Sequence, residues 1–435
     1  MQKKQINIIW FRNDLRIDDN PALLECLKND LPVLGLYCFE PRLYDNYFYQ
    51  LKKTESFRAQ FIIEAVEDLK NKLESLNVGL KISLKSPKEA LEELESDFEI
   101  QSIFYQKEWT SEEVEVENQI KNNFKNIEFK GLFGQFLFHP EDVPYENIEK
   151  IPQVFTNFRK KCQKQSEVRA PLDIPTPQHK DFFIDFGQAL PSLSDLGLSS
   201  FEKDARSAFP FKGGETAALE RLEYYFWDTE KLKYYKKTRN GLLGTDYSSK
   251  FSSWLAHGCI SARRIYAEVK KFEKQIKKNQ DTYWLIFELI WRDYFKYVSL
   301  KHGNAIFKIG GILNKDYDWH RTKAAFIEWS EGRTKDDFVN ANMIELKKTG
   351  FMSNRGRQNV ASYWSKTLKQ DWRIGAAYFE AMLIDYDVHS NWGNWMYNSG
   401  VGNDPRDRKF NTQSQAERYD SNGKYRRTWL QENLF

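Results

Sequence analysis

The sequence predicts an α/β N-terminal domain built on a doubly wound, five-stranded parallel sheet, followed by a larger all-α domain. Three observations carry that prediction. Short apolar runs alternate with helical segments through the first 140 residues; seven of the thirteen prolines crowd between Pro140 and Pro191; and eleven of the thirteen tryptophans lie beyond residue 200. With 435 residues the chain is long enough for two sizeable cores, since domains tend to split at about this scale. The boundaries that follow are 1–139 for the α/β domain, 140–204 for a connector and 205–435 for the helical domain.

In the first part, "INIIWF" and "LPVLGLYCF" are strand-like runs flanking "DDNPALLECLKN", where Asp19 or Asn20 suits a helix cap and Pro21 the first turn. The helical "SFRAQFIIEAVEDLKNKLESL" precedes the strand "GLKISL". Then come "PKEALEELESDF", "IQSIFYQ", "TSEEVEVENQIKNNF" and "IEFKGLFGQFLF". Strands alternating with helices of this length imply right-handed crossovers and a parallel sheet. No GxGxxG follows the first strand, so the common dinucleotide fingerprint is missing. Helical periodicity lapses in the proline-rich connector, and a long loop of that kind is usually functional or interdomain. From residue 212 onward the pattern is helical, as in "SARRIYAEVKKFEKQI" and "TYWLIFELIWRDYFKYVSL", with about a dozen helices expected.

The balance of 65 basic to 62 acidic residues indicates a soluble globular protein, yet Lys231 to Gln280 holds thirteen Lys/Arg against three Asp/Glu. Such a stripe suits a polyanion, or is simply a solvated helix face. Cys26, Cys38, Cys162 and Cys259 form no CxxC and have no partnering His cluster, which argues against a disulfide framework or a structural zinc site. No apolar run is long enough to span a bilayer, and the opening "MQKKQINIIWF" enters a strand at once. The expectation is a cytoplasmic protein.

Four stretches of the helical half concentrate chemistry. "GTDYSSKFSSWLAHG" sets hydroxyls and free amides before a helix, as an anion site or a simple cap. In "FELIWRDYF" helical spacing puts Glu288, Trp291, Arg292 and Phe295 on one stripe. A carboxylate among apolar neighbours is costly unless paired, so Glu288 either meets an arginine or faces a cavity. "TGFMSNRGRQNVASYW" places Asn354, Arg355 and Arg357 in a Gly-flexed loop, suited to a phosphate, a flavin or a carboxylate. "LIDYDVHSNWGNWMYNSGVGND" sets Asp385, Asp387 and Asn391 beside Gly393, which would let backbone approach a flat cofactor.

Together these stretches resemble one family over nearly the whole chain. "WFRNDLRIDDNPAL" is similar to the N-terminal signature of photolyases and cryptochromes. "DYSSKFSSWLAHGCISAR", "ELIWRDYF", "TGFMSNRGRQN" and "LIDYDVHSNWGNWMYNSGVGNDPR" are similar to their flavin domain, in order and spacing. The "NWGNWMY...GVGNDP" variant, with "FNTQSQAERYDSNGKY" after it, most resembles the DASH cryptochromes, and a long tail like that of plant and animal cryptochromes is not expected.

The resemblance implies a bent FAD in the helical domain. Tyr235 and the segment Ser248, Ser249, Lys250, Phe251, Ser252 would hold its phosphates. Glu288, Arg292, Asn354, Arg357, Asp385, Asp387 and Asn391 would surround its rings and ribose, and Trp395, Trp372 and Trp319 match a photoreduction chain. Arg239, Asn354, Arg355 and Gln415 match DNA-contacting positions, while Glu108 matches the acid that holds a 5,10-methenyltetrahydrofolate antenna. The implied reaction is blue-light-driven splitting of cyclobutane pyrimidine dimers by electron transfer from reduced FAD. Glu288 would bond the dimer and Trp291 would stack on it.

Two positions depart from the photolyase pattern: Tyr397 stands where a second Trp is expected, and Gln358 where Met is usual. A smaller, more polar wall grips an apolar dimer less, so the expected substrate is single-stranded or looped DNA, where flipping the lesion costs least. The rival reading is a blue-light receptor that binds nucleic acid without repairing it. A monomer with no required protein partner is expected.

Overall fold

The computed structural model describes residues 3–28 and 30–431. Five strands, β1 (Lys4–Trp10), β2 (Val33–Cys38), β3 (Leu80–Ser83), β4 (Phe98–Gln106) and β5 (Glu128–Leu132), form one sheet in the order β3-β2-β1-β4-β5. All four pairings are parallel, with Ile8 opposite Leu34 on one side and Ile103 on the other. The order reverses at β1, so crossovers cover both faces, as the near-continuous apolar β1 requires. Local chemistry sets the helix starts. Asn20, of the two candidate caps, accepts from the Leu23 amide at 3.1 Å, and Ser86 forms a capping box with Glu89.

After the connector, twelve α-helices run from Glu215 to Leu430 among the described residues. The longest, Gln280–His302, is capped by Asn279 and forms the spine of this region. None of the helices described is long and apolar enough to cross a membrane.

The expected two cores are joined. One buried cluster runs from Ile9 and Leu23 through Phe104 and Phe158 to Trp254, Tyr297 and Ile384, so it spans sheet, connector and helices. A second, around Trp329, Trp372 and Trp395, is confined to the helical region. The seam between the two halves is also polar. The Asp293 carboxylate accepts from the amides of Leu137 and Phe138 at 2.9 and 2.7 Å, and Glu215 accepts from those of Ile17 and Asp18 at 3.1 and 2.9 Å.

The basic stripe is partly neutralised. Seven of its thirteen cations are ion-paired: Lys231 with Asp246, Lys233 with Glu230, Arg239 with Glu288, Arg263 with Asp19, Arg264 with Asp18, Lys270 with Glu273 and Lys271 with Glu268. Arg263 and Arg264 serve the seam with the α/β half.

Candidate functional site

A cavity of about 470 Å³ opens in the helical region. The Gln280–His302 helix contributes Glu288, Trp291 and Arg292; the loop before Ser252 contributes Ser248, Ser249 and Lys250; and the helix Asn354–Ser362 contributes Asn354, Arg355, Arg357 and Gln358. Tyr235, Arg239, Phe251, Ser252, Asp385, Asp387 and Tyr397 complete the wall. Every residue expected at the flavin is therefore here except Asn391, which lines an adjoining cavity of about 70 Å³ with Asp385, Asn394 and Trp395.

The charges are arranged in pairs that leave atoms free. Arg357 holds one oxygen of Asp385 at 2.9 Å, while the other oxygen, Oδ1, is buried without a hydrogen bond. Asp387 caps the helix Val388–Ser399 by accepting from the Ser390 amide at 2.7 Å and pairs with Lys296 at 3.0 Å. Burial raises its carboxyl, but Lys296, Arg292 and the Ser390 hydrogen bond outweigh that and hold it below the usual carboxylate range. Lys250, forced to φ +67°, buries an amine that makes no hydrogen bond and sits over the Tyr247 ring at 3.2 Å; burial pushes its pKa well down. Orphaned donors and acceptors in one cavity with hydroxyls and aromatic rings fit a large polar-and-planar ligand such as FAD. Arg292 lines that space while its two Nη atoms donate to the carbonyls of Gln135 at 2.6 Å and Leu255 at 3.0 Å, so it ties the cavity to the α/β half.

At the cavity mouth, Glu288 adopts both arrangements left open by its sequence context. It pairs with Arg239 at 2.5 Å and also faces the cavity. Burial raises its pKa and Arg239 opposes the rise. Trp291 stacks one face on Phe155 of the connector helix Phe155–Gln165, centroids 3.6 Å apart, and meets Tyr397 edge-on at 6.0 Å. Tyr397 bonds to Arg408, which pairs with Asp404 at 3.0 Å. Arg355 reaches Gln358 at 2.8 Å, Asn240 at 3.1 Å and Gln415 at 3.5 Å, so the expected DNA-contacting residues cluster at this rim.

Glu108 lies elsewhere, in a second cavity of about 390 Å³ between sheet and helices. It accepts from Gln106 at 2.9 Å, and burial pushes its carboxyl up to about 7, against the pull of Arg12 and Lys296. Buried Arg12 Nη1, Arg58 Nη1, Gln106 Oε1 and His389 Nε2 line this space without hydrogen bonds. Trp395 borders the small cavity and Trp372 is wholly buried, whereas Trp319 is partly exposed.

Gly393 differs from its expected role. A Cβ there would lie 2.3 Å from Phe295, so the glycine lets two helices close rather than admitting a cofactor. Arg221 was not legible as a site residue. It donates to the carbonyls of Thr245, Ser248 and Ser249, each at 3.1 Å, and pairs with Asp246 at 3.0 Å, fixing the serine loop. Lys296 was hidden in the same way: its helix gives no sign of Asp387, 91 residues on.

A family model described as DNA photolyase matches residues 7–178, and one described as the FAD binding domain of DNA photolyase matches residues 284–433. Cryptochrome DASH of Gloeobacter violaceus is 46% identical over 428 residues, covering 98% of this chain and 85% of that relative. Cryptochrome DASH of Xenopus laevis is 44% identical over 434 residues, covering 98% and 83%. The crystal structure of a Synechocystis cryptochrome superposes with a TM-score of 0.92 at 43% identity, covering 99% of this chain and 89% of that one. A class III photolyase from Agrobacterium tumefaciens does so at 0.83 and 25%, covering 99% and 87%. The chain belongs to the photolyase/cryptochrome family. Within that family it is most like the proteins named cryptochrome DASH, and the match of its helical half supports FAD as its cofactor.

Proposed function

We propose that the protein is a light-driven lyase that splits cyclobutane pyrimidine dimers, with preference for single-stranded or looped DNA. The observation that carries this reading is that Glu288, Trp291 and Asn354 line the same cavity as Asp385, Asp387 and the serine loop. Lesion-side and flavin-side groups thus share one space. Bound FAD, reduced and excited by blue light, would supply an electron to the dimer and take it back after ring opening.

The chain's own residues would bind and orient. Asp385 Oδ1 and the Lys250 amine, free of other hydrogen bonds, would meet ligand groups; Asn391, whose amide is fixed on the Ala376 carbonyl at 3.0 Å, would face the ring from the small cavity. Glu288, held by Arg239, would bond the dimer's polar edge, and the face of Trp291 away from Phe155 would stack on it. Tyr397 and Gln358, tethered to Arg408 and Arg355, make this wall polar. A polar wall returns little of the cost of extracting a dimer from a duplex, which is lowest in single strands. The interdomain cavity, with Glu108 and its unbonded polar neighbours, fits a folate antenna.

Cys38, Cys162 and Cys259, buried and in no disulfide, fit a reducing compartment, which we take as the cytoplasm, with the protein acting as a monomer without a required protein partner. Blue-light repair of a thymine-dimer oligonucleotide, single- and double-stranded, tests the reading. Turnover on the single strand well above that on the duplex is expected. Equal rates would defeat the preference, and no repair of either would favour the rival receptor reading. The pairing of Glu288 with Arg239, which occupies one carboxylate oxygen, is the observation on that rival's side.

A further inference from the structure

Trp329 and Trp364 have no part in the roles assigned so far. Trp395, the tryptophan in the wall of the small cavity, meets Trp329 edge to face with centroids 6.1 Å apart. Trp329 in turn meets Trp364 at 4.9 Å, with ring planes 36° apart. All three indoles are at most 2% exposed. Trp372 turns to different neighbours: its ring meets Trp392 at 5.6 Å and its Nε1 donates to the Ile309 carbonyl at 2.9 Å.

We propose that Trp329 and Trp364 form a second, enclosed electron-transfer branch off Trp395. The proposal rests on the reading of Trp395 as electron donor to the flavin. In the step, Trp395 loses one electron to the light-excited, oxidised flavin, Trp329 refills Trp395, and Trp364 refills Trp329. One electron has then been gained by the flavin and one is missing from Trp364; no bond forms or breaks. Nor does a proton leave. Nε1 of Trp395 and of Trp329 is buried with no hydrogen-bond partner, and Nε1 of Trp364 donates at 2.9 Å to the Asp371 backbone carbonyl, which is too weak a base to take the proton. The indole cation on one member of the pair is stabilised by the π-face of the other, tryptophan being the best such partner.

The far end of the branch decides what it does. Beyond Trp329 and Trp364 the ring contacts are with Phe326, Tyr378 and Phe379. Phenylalanine rings are poor electron donors. The Tyr378 phenol is buried, its pKa is pushed up by that burial, and its hydroxyl points to the Ser330 carbonyl at 3.4 Å. Charge on Trp364 is thus shielded from dissolved reductants, whereas charge on the partly exposed Trp319 meets them. The branch stores the charge and returns it to the flavin, in competition with the route to the surface.

Transient absorption of the FAD-loaded protein after a blue flash, read in the visible band of the indole radical cation with and without a small thiol, tests this. The wild type is expected to show two decays, one shortened by the thiol and one insensitive to it. Trp364→Phe should remove the insensitive component, and Trp372→Phe should leave only that component. Persistence of the insensitive component at full amplitude in both Trp364→Phe and Trp329→Phe overturns the branch. Absence of any indole radical in the wild type instead overturns the reading of Trp395 as donor, and the branch with it. Near-ultraviolet circular dichroism of the same loaded proteins gives a readout independent of the flash. The Trp329–Trp364 pair, closer than the Trp372–Trp392 and Trp329–Trp395 pairs, should contribute an exciton couplet that appears in the difference spectrum between the wild type and Trp364→Phe. A difference spectrum with no couplet refutes the geometry.

Discussion

Replacing Lys296 with methionine isolates the ion pair that stands between the two cavities. Lys296 Nζ lies 3.0 Å from Asp387 Oδ2, with side chains only 4% and 12% exposed. At an effective dielectric of about 20 the attraction is on the order of 5 kcal/mol, and desolvation of both ions offsets much of it. Removing the lysine leaves the carboxylate buried without its cation, which typically costs about 3–5 kcal/mol. Arg292 and the Ser390 amide remain to hold it, which places the expected loss near the lower end, at about 3 kcal/mol. Urea unfolding followed by tryptophan fluorescence at neutral pH measures this. The double variant Lys296→Met/Asp387→Asn should recover about 2 kcal/mol relative to the sum of the single losses. Because the folded pKa of Asp387 is depressed, its contribution is present above the unfolded carboxyl value and fades as pH falls toward the folded one. The deficit of Lys296→Met should therefore shrink below about pH 4. A loss under about 1 kcal/mol, or strict additivity in the double variant, would refute the argument.

Three further outcomes follow from the same geometry. Glu108 is raised from 4.5 to about 7 by burial, so the folded protein binds that proton more tightly than the unfolded chain. It should lose up to about 3 kcal/mol as pH rises from 5 to 7.5. Glu108→Gln should flatten that slope, and parallel urea curves for the two proteins would contradict it. Gly393→Ala drives a methyl to within 2.3 Å of Phe295 and should cost about 1–3 kcal/mol; wild-type stability would show that the two helices separate freely. Arg221→Ala strands three carbonyls of the serine loop, at about 1.5–3 kcal/mol for each bond to the charged group. The fraction of protein retaining flavin through gel filtration should fall sharply, and full retention would remove Arg221 from the site.

Much of this was legible because it is local. Alternating apolar runs and capping residues report on neighbours within a few positions, so strand and helix could be read from pattern. That Asn20 rather than Asp19 caps was open, since either side chain suits the turn; the Asp19 carboxylate is instead taken by Arg263, 244 residues away. The stretches carrying Glu288, Asn354 and Asp385 were recognisable as dense, unusual segments, and all three line the large cavity. Pairing partners were a different matter. The cations from Lys231 to Lys278 suited either a polyanion or a solvated helix face, and most of them meet carboxylates brought from other elements or from the next helical turn. Gly393 looked like room for a cofactor and proves to be room for Phe295.

By itself, the sequence determined the parallel sheet and the helical second half, because periodicity is a property of the chain, while the residues expected around a flavin came from the resemblance of its motifs to a known family. Only the tertiary structure decided which charges neutralise each other, as Lys296 does Asp387, and which indole faces which, as Trp395 faces Trp329. Those relations depend on helices crossing at close range. The packing that sets the crossing is a sum over many distant side chains, and no single stretch of sequence contains it.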